Sequence, residues 1–325
     1  YREIIIFPRW RIQVQTKNRA VIGILLMVFL FFIILMVFAT YTVKVFNDES
    51  KAFDTQNKKG QIAVVEVTGP IMSAKNTVEL LERAEKDKTV KAIILRINSP
   101  GGAVGPTQEI YEEIRRIDSA YDPKDKESKG KPIYASFDAI AASGGYYLGA
   151  ATRRIYASAG TLTGSIGVIM NFTDLSKLYE FFKVKQTPVK AGKYKDIGSP
   201  HRGMTKEESG IMNKMIGVVH GQFMRAIEET RKDKLKKDIF DLAQGQIFSG
   251  EEARDLGLVD ELGGLWKAGR AIHKELELEG DFALKYIKKK KKSGIWDLVD
   301  NLDQATTNIR LNTMVNYMPM LIFGK

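Results

Sequence analysis

The sequence predicts an α/β layered domain carried behind one membrane-spanning helix. Two observations predict it. From Ala20 to Val43 the stretch "AVIGILLMVFLFFIILMVFATYTV" holds no charged residue, and it is long enough to cross a hydrocarbon core as a helix. Beyond residue 60, short apolar strand-like runs alternate with segments of helical period, the order expected of a layered α/β unit.

The totals narrow the chemistry. The chain has 325 residues, 44% of them hydrophobic, and no cysteine. Disulfides, thiolate metal sites and cysteine nucleophiles are therefore excluded. Its histidines, His201, His220 and His273, lack ligand spacing, so neither a metal nor a cofactor is expected. The net charge of +11 gathers in the N-terminal flank and in the run Lys288 to Lys292, with no basic stripe interleaved with aromatics. That distribution suits a membrane surface, not a nucleic acid.

Arg2, Arg9, Arg11, Lys17 and Arg19 precede the apolar stretch against a lone Glu3, whereas Lys44, Asp48, Glu49 and Lys51 follow it. The excess of positive charge puts the N-terminus in the cytoplasm and the rest outside it. The expected divisions are a basic N-terminus over 1–19, the membrane helix over 20–43, a polar stalk over 44–59, a catalytic domain over 60–292 and a tail over 293–325.

Each element of the domain has its own signal. "QIAVVEVTGPI" reads as a strand ending in a Gly-Pro turn, and "NTVELLERAEKDKT" as a helix with Asn76 as a possible N-cap. "VKAIILRINSPGGAVG" is a buried strand running into a glycine turn, followed by the helix "PTQEIYEEIRRID" with Pro106 near its first turn. The charged loop "SAYDPKDKESKGK" then leads to the strand "PIYASF". Thr205 with Glu208, and Ser249 with Glu252, have capping-box spacing, the first ahead of a long amphipathic helix reaching about Arg231. In the tail, Ile295, Leu298, Val299, Leu302, Ile309 and Leu311 approximate an apolar helical stripe. Such a tail can pack on a neighbouring subunit, lie in the membrane interface or join the core.

Two stretches carry possible chemistry. "NSPGG", Asn98 to Gly102, ends a buried strand with successive glycines whose amides can face a ligand, as in an oxyanion hole; a ligand-free tight turn needs the same residues. In "DAIAASGGYYLGA" Ser143 stands between small residues that let a peptide approach, at a point where a helix can begin; an ordinary buried turn needs the same residues, and taken alone the stretch favours that reading. A hydroxyl nucleophile needs a base, and with the histidines poorly placed the candidates are Lys190, Lys193 and Lys195 of "VKAGKYKDIGSP". Their spacing does not choose among them. His201, in the same loop, is a weaker candidate.

The motifs "INSPGG", "AASGGYY", "TGSIGV", "YKDIGSP" and "GQIFSGEEARDLGLVDELG", in this order, strongly resemble the signal peptide peptidase A family. These are membrane-bound serine/lysine peptidases with the Clp/crotonase-like ββα superhelix, and this chain resembles their short, single-unit form. The resemblance implies that Ser143 is the nucleophile, Lys195 the general base and Ser165 the residue that positions the lysine. It also implies an oxyanion hole of backbone amides from Gly101 or Gly102 together with Gly144. In short-form relatives the serine and lysine that meet come from adjacent protomers of a ring-like homo-oligomer, commonly an octamer.

The expected function is a membrane-anchored serine endopeptidase of the inner membrane, its catalytic domain periplasmic, degrading cleaved signal peptides and similar hydrophobic peptides. The alternatives are a crotonase-like acyl-CoA enzyme using the same glycine amides, and a non-catalytic membrane scaffold.

Overall fold

A computed structural model describes residues 16–57, 61–125, 128–288 and 320–322. The chain divides into two units, residues 1–58 and 59–325. In the first, helix α1 (Thr16–Asn57) contains Val21–Tyr41, with a mean hydropathy of 3.4 and none of it buried. Among the described residues this is the one helix long and apolar enough to cross a membrane. The Thr40 hydroxyl folds back onto the carbonyls of Met36 and Val37, each at 2.9 Å, so this polar group is satisfied within the helix. The helix continues to Asn57 and so takes up most of the segment expected as a stalk.

In the second unit, β1 (Ile62–Thr68) and β2 (Ala92–Ser99) pair in parallel, and β4 (Ile133–Ala142) pairs in parallel with β2. Between them the chain forms α2 (Lys75–Lys86), a short strand β3 (Gly101–Ala103) and α3 (Val104–Ser119). The strands are apolar on both faces because both are covered. Ala63, Val65, Ile93 and Leu95 belong to the core that also takes Leu81 of α2 and Ile110 and Ile114 of α3. Ile62, Val64 and Ile94 pack in a second core with Leu265, Ala268 and Ile272 of a later helix.

After β4 come α4 (Gly144–Ala150), β5 (Ile155–Ala157), β6 (Leu162–Gly164), α5 (Ser176–Phe181) and α6 (Lys206–Arg231). The chain then forms α7 (Ile239–Leu242), β7 (Ile247–Ser249), α8 (Gly250–Asp255), β8 (Glu261–Leu262), α9 (Leu265–Glu275) and β9 (Leu284–Tyr286). The main sheet runs β7-β6-β4-β2-β1-β9, with β5 and β8 branching from β4. Only the β6–β7 pair is antiparallel within it. A final strand, β10 (Met320–Ile322), pairs antiparallel with β3.

Both capping boxes form, at Thr205 with Glu208 and at Ser249 with Glu252. The expected Asn76 cap does not: α2 begins at Lys75 behind Ala74, which offers no side-chain oxygen. Lys289 to Lys292 and the expected apolar stripe over 295–311 lie outside the described residues.

Candidate active site

Parallel strands deliver their C-terminal ends to one edge of a sheet, and the turns that leave them gather there. The turn after β2 and the turn after β4 meet in this way. At Ser143 the strand-to-helix turn is so sharp that a non-glycine residue adopts φ 53° and ψ −115°, a conformation that is costly for a residue with a Cβ. The strain is over-determined by its surroundings. The Ser143 N–H donates to Gly164 O at 2.8 Å, and the Ser143 carbonyl accepts from Tyr147 N–H at 2.9 Å.

The paired tyrosines that follow hold α4 in place. Tyr146 is fully buried and donates its hydroxyl to Leu258 O at 3.0 Å. Tyr147 packs against Tyr111 and Phe223, with ring centroids 4.9 and 4.7 Å apart. The result is a rigid platform under a serine that is 1% exposed and whose Oγ has no hydrogen-bond partner. A buried, unpaired hydroxyl is disfavoured unless a missing group completes it.

Beside it lies the glycine turn. A Cβ on Gly144 would stand 3.1 Å from Gly101 Cα and 3.2 Å from Gly102 N, so these glycines are in close backbone contact. A Cβ on Gly102 would stand 2.1 Å from Ile71 O, which only glycine avoids. The two candidate amides of this turn are not equivalent. Gly101 N–H already donates to Ser99 Oγ at 3.1 Å, and that hydroxyl in turn donates to Gly69 O at 2.7 Å. Gly101 O and Ala103 N bond to Ile71 on one side, at 2.9 and 2.8 Å, so Gly102 faces the other edge of β3. Gly102 is thus the amide directed to the outer edge of β3, the edge along which β10 pairs, while Gly144 opens α4 and has no acceptor one turn back. Sequence reasoning misses Ser99; a serine directly ahead of Pro-Gly-Gly is the turn-stabilising signal that points to it.

Ser165 is brought next to the nucleophile candidate by the pairing of β4 with β6, Ala142 opposite Gly164. It is 8% exposed and also takes a positive φ, 50°. The three lysines are now distinguishable. Lys190 pairs with Asp196 and Lys193 with Glu207. Lys195 is exposed and, among the described residues, its ammonium has no partner. Within one chain no hydrogen bond joins Lys195 to Ser143, whose Oγ remains unpartnered.

The histidines are not part of this cluster: His201 Nδ1 bonds to Ser199 Oγ, while His220 and His273 are in helices with Nε2 buried and unpaired. The edge of β3 is occupied by β10 of the same chain, with Met320 opposite Ala103, Leu321 opposite Gly102 and Ile322 opposite Gly101. An extended peptide therefore lies along the strand that carries the outward amide.

Comparison with known proteins decides the family. The profile of peptidase family S49 matches residues 125–279. A protein of Synechocystis sp. named "Putative protease" is 38% identical over 213 residues, 65% of this chain and 72% of its own length. The chain belongs to peptidase family S49. It is also similar to the Enterococcus faecium protein named "Putative signal peptide peptidase SppA", 32% identical over 65% of this chain and 58% of that protein. "Protease 4" of Salmonella typhi is 32% identical over 63% of this chain and 33% of its own length. The chain thus spans less than two thirds of these last two relatives. Family membership makes it a serine peptidase with the Clp-like fold.

Proposed function

We propose that this S49 peptidase is a membrane-anchored endopeptidase in which Ser143 is the nucleophile and Lys195, supplied by a neighbouring protomer, is the general base. One observation carries the reading: the Ser143 hydroxyl is buried, unpaired and held on strained backbone beside the outward amides of Gly102 and Gly144. That is the arrangement of a nucleophile awaiting its base.

The chemistry follows from the groups. A neutral Lys195 amine takes the Ser143 proton as Oγ attacks the peptide carbonyl, and the amides of Gly102 and Gly144 receive the oxyanion. The ammonium returns the proton to the departing amine, leaving an acyl-enzyme. Water, deprotonated by the same lysine, then releases the acid and restores Ser143. Ser165, one residue beyond the carbonyl that holds Ser143 N–H, is suited to orient the lysine.

A neighbouring copy as the source of the base is supported by two features. Lys195 is exposed in its own chain, and the stretch of chain that precedes it exposes large apolar groups, including Phe181 at 78%, Phe182 at 65% and Val189 at 100%. A second copy covering them would also take the lysine out of water. Hydrophobic peptides, such as the cores of cleaved signal peptides, are the expected substrates, lying extended along β3. The helix Val21–Tyr41 would anchor the enzyme in the inner membrane with the domain on the periplasmic side, as the flanking charges direct.

Mixing two inactive variants tests this directly. Ser143→Ala and Lys195→Ala proteins, co-assembled, should regain peptide hydrolysis, because some sites then combine an intact serine with an intact lysine from different copies. No recovery on mixing, with each homogeneous variant assembled, would sink the shared-site reading.

A further inference from the structure

Every N–H of the Arg202 guanidinium has an acceptor. Nε donates to Asp196 Oδ2 at 3.1 Å and Nη2 to Asp196 Oδ1 at 2.9 Å. Nη2 also donates to Glu208 Oε1 at 2.6 Å, and Nη1 to Glu208 Oε2 at 2.9 Å and Gly203 O at 3.1 Å. The fork of donors is therefore saturated by two carboxylates and one carbonyl. Asp196 follows Lys195 in the chain and takes a second cation, Lys190. Glu208 is 3% exposed and belongs to the capping box at the start of α6.

The segment from Lys190 to Gly203 has no helix or strand of its own. Arg202 ties it, through Asp196, to the first turn of α6. Capping does not require this tie, since Thr205 and Glu208 already satisfy each other's amides at 3.2 and 2.9 Å.

We propose that Arg202 is a positioning residue for the general base: by clamping Asp196 to Glu208 it fixes the backbone of Lys195 and cancels the negative charge beside it. This rests on Lys195 being the base. The first effect follows from entropy, because a lysine on an irregular segment reaches a neighbouring serine reproducibly only if its own Cα is held. The second follows from electrostatics. Without Arg202 the Asp196 carboxylate would keep only Lys190 as a counter-charge, and a less fully compensated carboxylate next to Lys195 favours the ammonium over the amine that catalysis needs. The charged groups of the segment are Lys190, Lys193, Asp196 and Arg202, and the first turn of α6, to which Arg202 ties it, carries Lys206, Glu207 and Glu208. Asp174 lies against Gly203, and His201 is held to Ser199.

The test uses the full chain and a fluorogenic peptide. Arg202→Gln should lower kcat by about 10²-fold with KM near the parent's, and should move the acid limb of the kcat/KM profile to higher pH. Adding Asp196→Asn to Arg202→Gln should return that limb toward its parental position. Arg202→Lys, which keeps the charge and loses the fork, should lower kcat with the limb close to the parent's. Parental kcat and an unmoved limb in Arg202→Gln overturn the proposal. A lower melting temperature and lower kcat with an unmoved limb overturn it too, since that is a purely structural role. Should Arg202→Gln not fold, Arg202→Lys decides by its kcat: a parental value overturns the clamp. Lys195→Ala separates the two claims. If it is inactive while Arg202→Gln keeps parental kcat, the base stands and the clamp falls; if it retains parental turnover, both fall.

Discussion

The backbone N–H of Ser143 donates to the carbonyl of Gly164 at 2.8 Å. That single bond joins the strand-to-helix turn after β4 to the end of β6, and it sets Ser165 beside Ser143 although the two are far apart in sequence. It also holds Ser143 at a φ that glycine would adopt freely.

A first prediction concerns that strain. Ser143→Ala and Ser143→Gly should both be inactive, but the glycine variant should be the more stable by about 1 kcal/mol, since it removes the Cβ from a positive-φ site. Denaturant unfolding of the two variants side by side checks this. Equal stability would mean the turn is not strained.

The lysines should separate by kinetics. Lys195→Ala should lose about 10³-fold in kcat, whereas Lys193→Ala, whose ammonium is engaged with Glu207 on the surface, should keep nearly all of it. The reverse ranking in a peptide assay would assign the base to Lys193.

Gly144→Ala should fold and yet turn over slowly. Its methyl would press on Gly101 Cα and Thr107 Oγ1, both at 3.1 Å, and on Gly102 N at 3.2 Å, forcing the oxyanion amides apart by a few tenths of an ångström. A loss of about 10²- to 10³-fold in kcat with little change in KM is expected. Unchanged kcat would place the oxyanion elsewhere.

The edge of β3 cannot hold β10 and an extended substrate at once. Removal of residues 320–325 should therefore lower KM for a peptide substrate, and a synthetic peptide of that segment should inhibit the truncated enzyme. A parental KM after truncation would show that substrate does not use this edge.

Acid stability should depend on Asp260, away from the active site. Asp260 is largely buried, and burial alone would raise its carboxyl; the Arg231 charge and hydrogen bond at 3.0 Å, with the Lys234 bond, outweigh this and hold it below its ordinary value. A depressed carboxyl contributes stability that is full above its unfolded value of about 4 and is lost as pH falls through the lower folded one. Arg231→Met should cost about 3 kcal/mol at neutral pH, and the loss should shrink as pH drops below about 4. Unfolding curves at pH 7 and pH 3 measure both.

Much of the molecule is legible in the order of its residues. The apolar run before Tyr41, the capping boxes at Thr205 and Ser249, and the strand-helix alternation are local signals, so a linear reading finds them. Asn76 fails as a cap because helix entry depends on which residue lies just outside the first turn, a matter of one position. The nucleophile candidate Ser143 is visible from its small neighbours and from family resemblance. Residue order alone thus specifies the candidate reacting residue types and the succession of elements that carry them. Folding in three dimensions adds that Gly101 commits its amide to Ser99 and leaves Gly102 outward, that Lys190 and Lys193 are already paired, and that residues 320–322 lie along β3. Those choices depend on hydrogen bonds and ion pairs between segments remote in the chain, whose partners are set by how the parallel strands stack and twist, and no local pattern of residues encodes that.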